Sequence, residues 1–211
     1  MPFELGRPLG VPNEADFQRE VVVAALDLLT ASDGPPTLVD YGVEAPSSAE
    51  VSEGWACPLN LPPVEPASEP ERLRDTFLQE MGQMQSWYDL AREQRGSTTV
   101  GSSGLPVEQL AGVFAALLEE RVPDVVDPVM PLPRLINLVA DDIRALYAEG
   151  LTAQPGQSRV EAHQLTDWFY LETAAGRTLY AVKRLAGLSN DEGFAEIAGA
   201  LAFPARLAGK G

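Results

Sequence analysis

The chain has 211 residues, 45% of them hydrophobic, and sets 15 Lys and Arg against 31 Asp and Glu for a formal charge of −16. That apolar content excludes a wholly disordered chain, because burying it offsets the entropy of ordering. The length suits one domain, or one domain with an appendage. A charge this negative repels phosphate backbones and anionic lipid, so neither nucleic acid nor a membrane is an expected partner.

The charge is also uneven. Residues 1–70 hold two basic and twelve acidic side chains (−10), whereas residues 131–211 hold eight and nine (−1). A single cysteine, Cys57, forms no intramolecular disulfide and suits a reducing compartment. The opening MPFELGRPLG lacks a basic stretch followed by an apolar one, so no signal peptide is expected and the location implied is cytoplasmic. No apolar run approaches the ~18 residues that a membrane span requires.

Asn13 and Asp16 open a first helix with Phe17, Val21, Ala24, Ala25 and Leu28 at helical spacing, ending near Gly34-Pro35-Pro36. Eight prolines between Pro35 and Pro70 then predict an irregular segment. Within it Leu38 to Tyr41 reads as a short strand, and Trp55 and Leu59 as anchors onto the body.

Ser68-Glu-Pro-Glu71 has the pattern of a capping box and starts a second helix with the stripe Leu73, Phe77, Met81, Met84, Tyr88 and Ala91, stopping at Gly96. Ser97 to Val100 reads as a strand fragment. Gly101-Ser-Ser-Gly104 is a turn into a third helix bearing Leu110, Phe114, Leu117 and Leu118. Pro133 begins a fourth helix with Leu135, Leu138, Val139, Ile143 and Leu146, for which Gly150 is the expected stop. Ser158-Arg-Val-Glu161 starts the longest helix, running to about Ala186 with Leu165, Trp168, Ala175, Leu179 and Val182 inward. Ser189-Asn-Asp-Glu192 caps a last short one through Phe194, Ile197 and Leu201.

The expected fold is therefore mainly α, a six-helix bundle-like domain with an acidic, proline-rich arm. Its divisions are 1–34 with the first helix, 35–70 irregular, and 71–211 as the bundle.

Motifs with self-contained chemistry are missing from the sequence. Gly101 to Gly104 offers amide donors at a helix entry, yet no Lys-Ser/Thr follows as in a phosphate loop, and an ordinary turn is the simpler reading. Cys57 sits in an acidic context that raises a thiol pKa and so reads as structural or incidental. His163 and Asp167, at i and i+4, fall opposite the Trp168 stripe and read as a solvated pair. One His and one Cys build neither a zinc site nor a His-supported di-iron bundle, so no metal or cofactor is implied.

One polar constellation remains. At about 100° per residue, Asp142 falls inside the apolar stripe of the fourth helix and Glu172 inside that of the fifth. The two carboxylates are expected to be buried or half-buried and to face each other, with Arg95, on the inward side of the second helix, as counterion. A structural Arg–carboxylate network and a polar pocket for a small ligand both fit this pattern.

Leu5-Gly-Arg-Pro-Leu-Gly10, together with Asp141-Asp142, Gln154-Pro-Gly156, Asp167-Trp-Phe169 and Glu172-Thr-Ala-Ala-Gly-Arg177, resembles an uncharacterised family of bacterial proteins. The resemblance implies association with systems similar to glycine or D-proline reductases, and hence an accessory role in a redox system. Two functions stand open: a non-catalytic accessory or interaction subunit whose acidic arm meets a partner with a basic surface, and a small-molecule or enzymatic domain with a carboxylate-lined site between the fourth and fifth helices.

Overall fold

The computed structural model describes residues 9–10, 14–30, 34, 38–43, 61–62, 70–124, 130–155, 160, 162–204 and 207. Among these every regular element is helical: α1 Ala15–Asp27 with a 3₁₀ turn Leu28–Thr30, α2 Pro70–Arg95, α3 Val107–Leu118, α4 Leu132–Thr152, α5 Ala162–Glu172, α6 Ala174–Leu188 and α7 Glu192–Ala200. The mainly α reading holds. Seven α-helices replace the expected six, because the longest one is broken at Thr173. The chain divides into two compact units, Met1–Glu53 and Gly54–Gly211.

In the first unit α1 has Val21 buried, with Phe17 and Ala24 half-buried on the same arc. Leu28, expected inward, is exposed. Residues 38–43 carry no regular structure, so the strand expected at Leu38 to Tyr41 is absent, and Leu38 and Val39 are exposed. Trp55, Cys57 and Leu59 lie outside the described residues, as does Ser158 to Arg159 of the second capping box.

In the second unit α2 packs on α4, α6 and α3, and α7 closes over α4 and α6. The stripe Leu73, Phe77, Met81, Met84, Tyr88 and Ala91 is entirely buried, because i, i+3, i+4 spacing turns one face of α2 to its neighbours. Around it lie Phe114 and Leu117 of α3, Ile143 and Tyr147 of α4, and Leu179 and Val182 of α6. Each such side chain contributes about 1.5–3 kcal/mol relative to exposure. Tyr147 meets Trp168 at 6.0 Å and Phe169 edge-on at 5.3 Å, which seats α5 on α4. Residues 97–100 are irregular, so the second strand fragment is absent too.

Two glycines explain the departures in helix boundaries. Gly150 does not stop α4, which runs on to Thr152; it lies inside the helix where α2 crosses, and a Cβ there would stand 2.9 Å from Met84 Cε and 3.3 Å from Met84 O. The missing side chain lets two backbones approach. At Gly176 a Cβ would stand 2.1 Å from Phe169 O and 2.6 Å from Tyr170 Cα. The chain between Phe169 and Gly176 is thus an elbow so tight that only hydrogen fits inside it.

Thr173 makes the elbow. Its backbone is extended (φ −99, ψ 152), and its hydroxyl accepts from Gly176 N at 3.0 Å and donates to Phe169 O at 2.6 Å. At the next junction the cap is Asp191, whose side chain accepts from Phe194 N, instead of Ser189.

Candidate functional site

The wheel placement of Asp142 is correct in depth and wrong in partner. Its side chain is fully buried on α4, and a buried carboxylate must find donors or a proton. It finds the turn that precedes α3. Oδ1 accepts from Gly101 N at 2.9 Å and Ser102 N at 2.8 Å, and Oδ2 from Ser103 N at 2.9 Å and Ser103 Oγ at 2.5 Å. Gly101 (φ 130) and Gly104 (φ 74) supply the left-handed backbone that turns three successive N–H groups the same way. The Gly-Ser-Ser-Gly turn does cradle an anion, and the anion is the chain's own.

Glu172 does not face Asp142. It ends α5 and is exposed, since the extended Thr173 resets the helical phase on which the wheel relied. Arg95, the last residue of α2, is also exposed and donates to the Thr152 hydroxyl instead of to a buried carboxylate. The three proposed site residues are therefore not brought together. His163 is exposed and Asp167 half-buried, in keeping with a surface position.

Two further buried carboxylates escaped the sequence reading. Glu80 of α2 is fully buried, with Oε2 accepting from Ala174 N at 2.8 Å and Oε1 from Ala175 N at 3.0 Å and Tyr147 OH at 2.7 Å. Together Glu80 and Thr173 satisfy the N–H groups of the first three residues of α6, and the charge faces the positive end of that helix. Burial raises the Glu80 pKa above the usual carboxyl value, against the lowering effect of its three donors. Burial, and then the Glu80 charge, lift the Tyr147 hydroxyl well above its ordinary value, so it remains a donor.

Glu149, one heptad after Asp142, accepts at Oε1 from Thr99 N and Thr99 Oγ1, both at 2.7 Å, while its buried Oε2 has no partner among the described residues. The signal for both residues was present: Glu80 is seven after Leu73 and three after Phe77, inside the α2 stripe.

Three carboxylates on two adjacent helices thus each hold a different part of the chain: the α6 terminus, the 101–103 turn and Thr99. Apart from Glu149 Oε2, every oxygen of the three accepts from a backbone or hydroxyl donor, each in a different part of the chain. This is the chemistry of stapling loops to helices, in contrast to paired acid and base. A cleft of ≈ 400 Å³ lies at the C-terminal end of α2, lined by Asp89, Arg92, Glu93, Gly96, Ser97 and Thr98. Among the described residues no group of three or more His, Cys, Asp or Glu is placed to hold a metal ion, and no helix is long and apolar enough to cross a membrane.

No family model, curated protein or solved structure matches the chain.

Proposed function

We propose that the protein is an interaction subunit that acts by binding another protein. The observation that carries this reading is where apolar surface is left in water. Of the twelve exposed large apolar side chains among the described residues, nine lie at positions 9–43 and three in the second unit. The first unit contributes only 26 described residues against 128. Contiguous exposed apolar surface marks interaction sites, whereas scattered exposed residues do not.

The same segment carries most of the acidic excess, −10 over residues 1–70, which selects a partner with a basic face and makes association salt-dependent. A carboxylate-lined ligand site between the fourth and fifth predicted helices has lost its support, since Asp142 is engaged by a turn and Glu172 points to solvent. An accessory role in a reductase-like redox system is consistent with this reading and rests on the sequence resemblance alone.

Purification of the full-length tagged chain from its native cells at rising salt tests the proposal. A companion protein in fixed stoichiometry near 50 mM salt, released at several hundred millimolar, is the expected result. A chain that elutes alone at every salt concentration contradicts it.

A further inference from the structure

Deepening the interaction reading, on which it rests, we infer that α1 docks as an amphipathic helix into an apolar groove, rimmed by Lys and Arg, on a separate protein. The helix has two apolar arcs where a surface helix needs one. The first, Phe17, Val21 and Ala24, is buried or half-buried. The second is Val22 and Leu26, at i and i+4, continued by Leu29 in the 3₁₀ turn that follows α1, and its exposures rise from 41% through 55% to 81%. Such anchors at i, i+4 and i+7 are the way a helix is read by a groove. Left in water, an apolar row of this kind raises the cost of hydration.

Charge selects the occupant. Beyond the second arc Val23, 48% exposed, leads to the row Asp16, Glu20 and Asp27, all exposed. The basic residue of the helix, Arg19, lies 3.7 Å from Asp16, so this flank presents net negative charge. A second copy would bring the same acidic row and the same charge of −16 against it. An anionic lipid surface would be repelled in the same way, and amphipathic helices that lie on membranes carry Lys and Arg instead. A groove with a basic rim satisfies the apolar arc and the acidic flank together.

The test places a photo-crosslinking amino acid at Leu26 of the full-length chain in cells, with Leu188 on α6, 76% exposed, as control. The crosslinked protein is identified, purified and titrated with wild type, Leu26→Ser, Leu29→Ser and the pair Glu20→Lys/Asp27→Lys. Circular dichroism confirms that each variant is folded.

The expected outcome is a discrete adduct at 26 and not at 188, on an apolar groove near Lys or Arg. Affinity should then fall about tenfold or more for each serine variant. The charge reversal should weaken binding severalfold at low salt and little at high salt. Crosslinks to residues 44–60 of the same chain, to a second copy or to lipid overturn the inference. A companion that binds the serine variants as well as wild type also overturns it and leaves the interaction reading standing. Failure to find any companion, by crosslinking or by purification, removes both.

Discussion

In the unit Gly54–Gly211 the carboxylates that fall on apolar helix faces are turned inward and engaged: Glu80 by the α6 terminus, Asp142 by the 101–103 turn, Glu149 by Thr99. In the unit Met1–Glu53 the acidic side chains of α1 are exposed, and so are its Val22, Val23 and Leu26. The two regions draw on similar residue types. What separates them is whether a neighbouring segment supplies the complementary donors and apolar contacts. A buried carboxylate with four donors stabilises a junction, whereas an exposed acidic row beside leucines is available to something outside the chain.

The sharpest way to break this comparison is at Asp142. Asp142→Ala leaves the N–H groups of Gly101, Ser102 and Ser103 without their acceptor, for an expected loss of about 3–5 kcal/mol and a Tm lower by roughly 10 °C. A scanning-calorimetry shift of a degree or two would mean that the turn does not depend on the carboxylate. Next comes Gly176→Ala, where the new methyl would meet Phe169 O and Tyr170 Cα. Backbone cannot move aside as a flexible side chain can, so about 2–4 kcal/mol is expected in urea denaturation.

Glu80→Gln keeps the shape and one acceptor but turns an amide NH₂ toward an N–H donor, costing about 1–3 kcal/mol. It also carries a pH signature. Because burial raises the Glu80 pKa, the folded chain keeps that proton at pH values where the unfolded chain has lost it. This contribution to stability is full below the ordinary carboxyl value and is lost as pH rises through the folded value. The advantage of wild type over Glu80→Gln should therefore shrink in urea melts as pH rises above the ordinary carboxyl value; an advantage that grows with pH would contradict the assignment. The mildest change in this unit is Gly150→Ala. The methyl would press on Met84 Cε and, at 3.3 Å, on Met84 O, a cost that the alanine's gain in helix propensity offsets in part, so a net loss of about 1 kcal/mol is expected by urea midpoint.

How far these features were legible depends on the period of the chain at each point. Where a helix is continuous, as in α2 and α4, the apolar stripe read from spacing follows the buried face: Phe77, Met84, Tyr88, Leu135, Val139, Ile143 and Leu146 are buried, and Leu138 at the edge of the stripe is half-buried. The same spacing put Asp142 inside, and applied to every acidic position it would also have placed Glu80 and Glu149. It failed at Glu172 because a wheel assumes unbroken phase, and the only local sign of the break is Thr173 three residues before Gly176, a pattern that also occurs inside uninterrupted helices. The partner of Asp142 was harder still. Three amides on a turn 40 residues earlier become donors only once two glycines adopt positive φ and α3 packs beside α4, which no local pattern encodes.

The division between the two regions is tested most directly by a Val22→Ser/Leu26→Ser/Leu29→Ser variant of the full chain, carried through one salt-controlled co-elution experiment alongside wild type, with the urea midpoint of each chain recorded. If the α1 arc serves binding and the second unit holds the fold, the midpoint changes by no more than the ~0.5 kcal/mol typical of surface substitutions while the companion protein is lost from the low-salt fraction. A variant that retains its companion, or whose midpoint falls by as much as that of Asp142→Ala, would contradict the account.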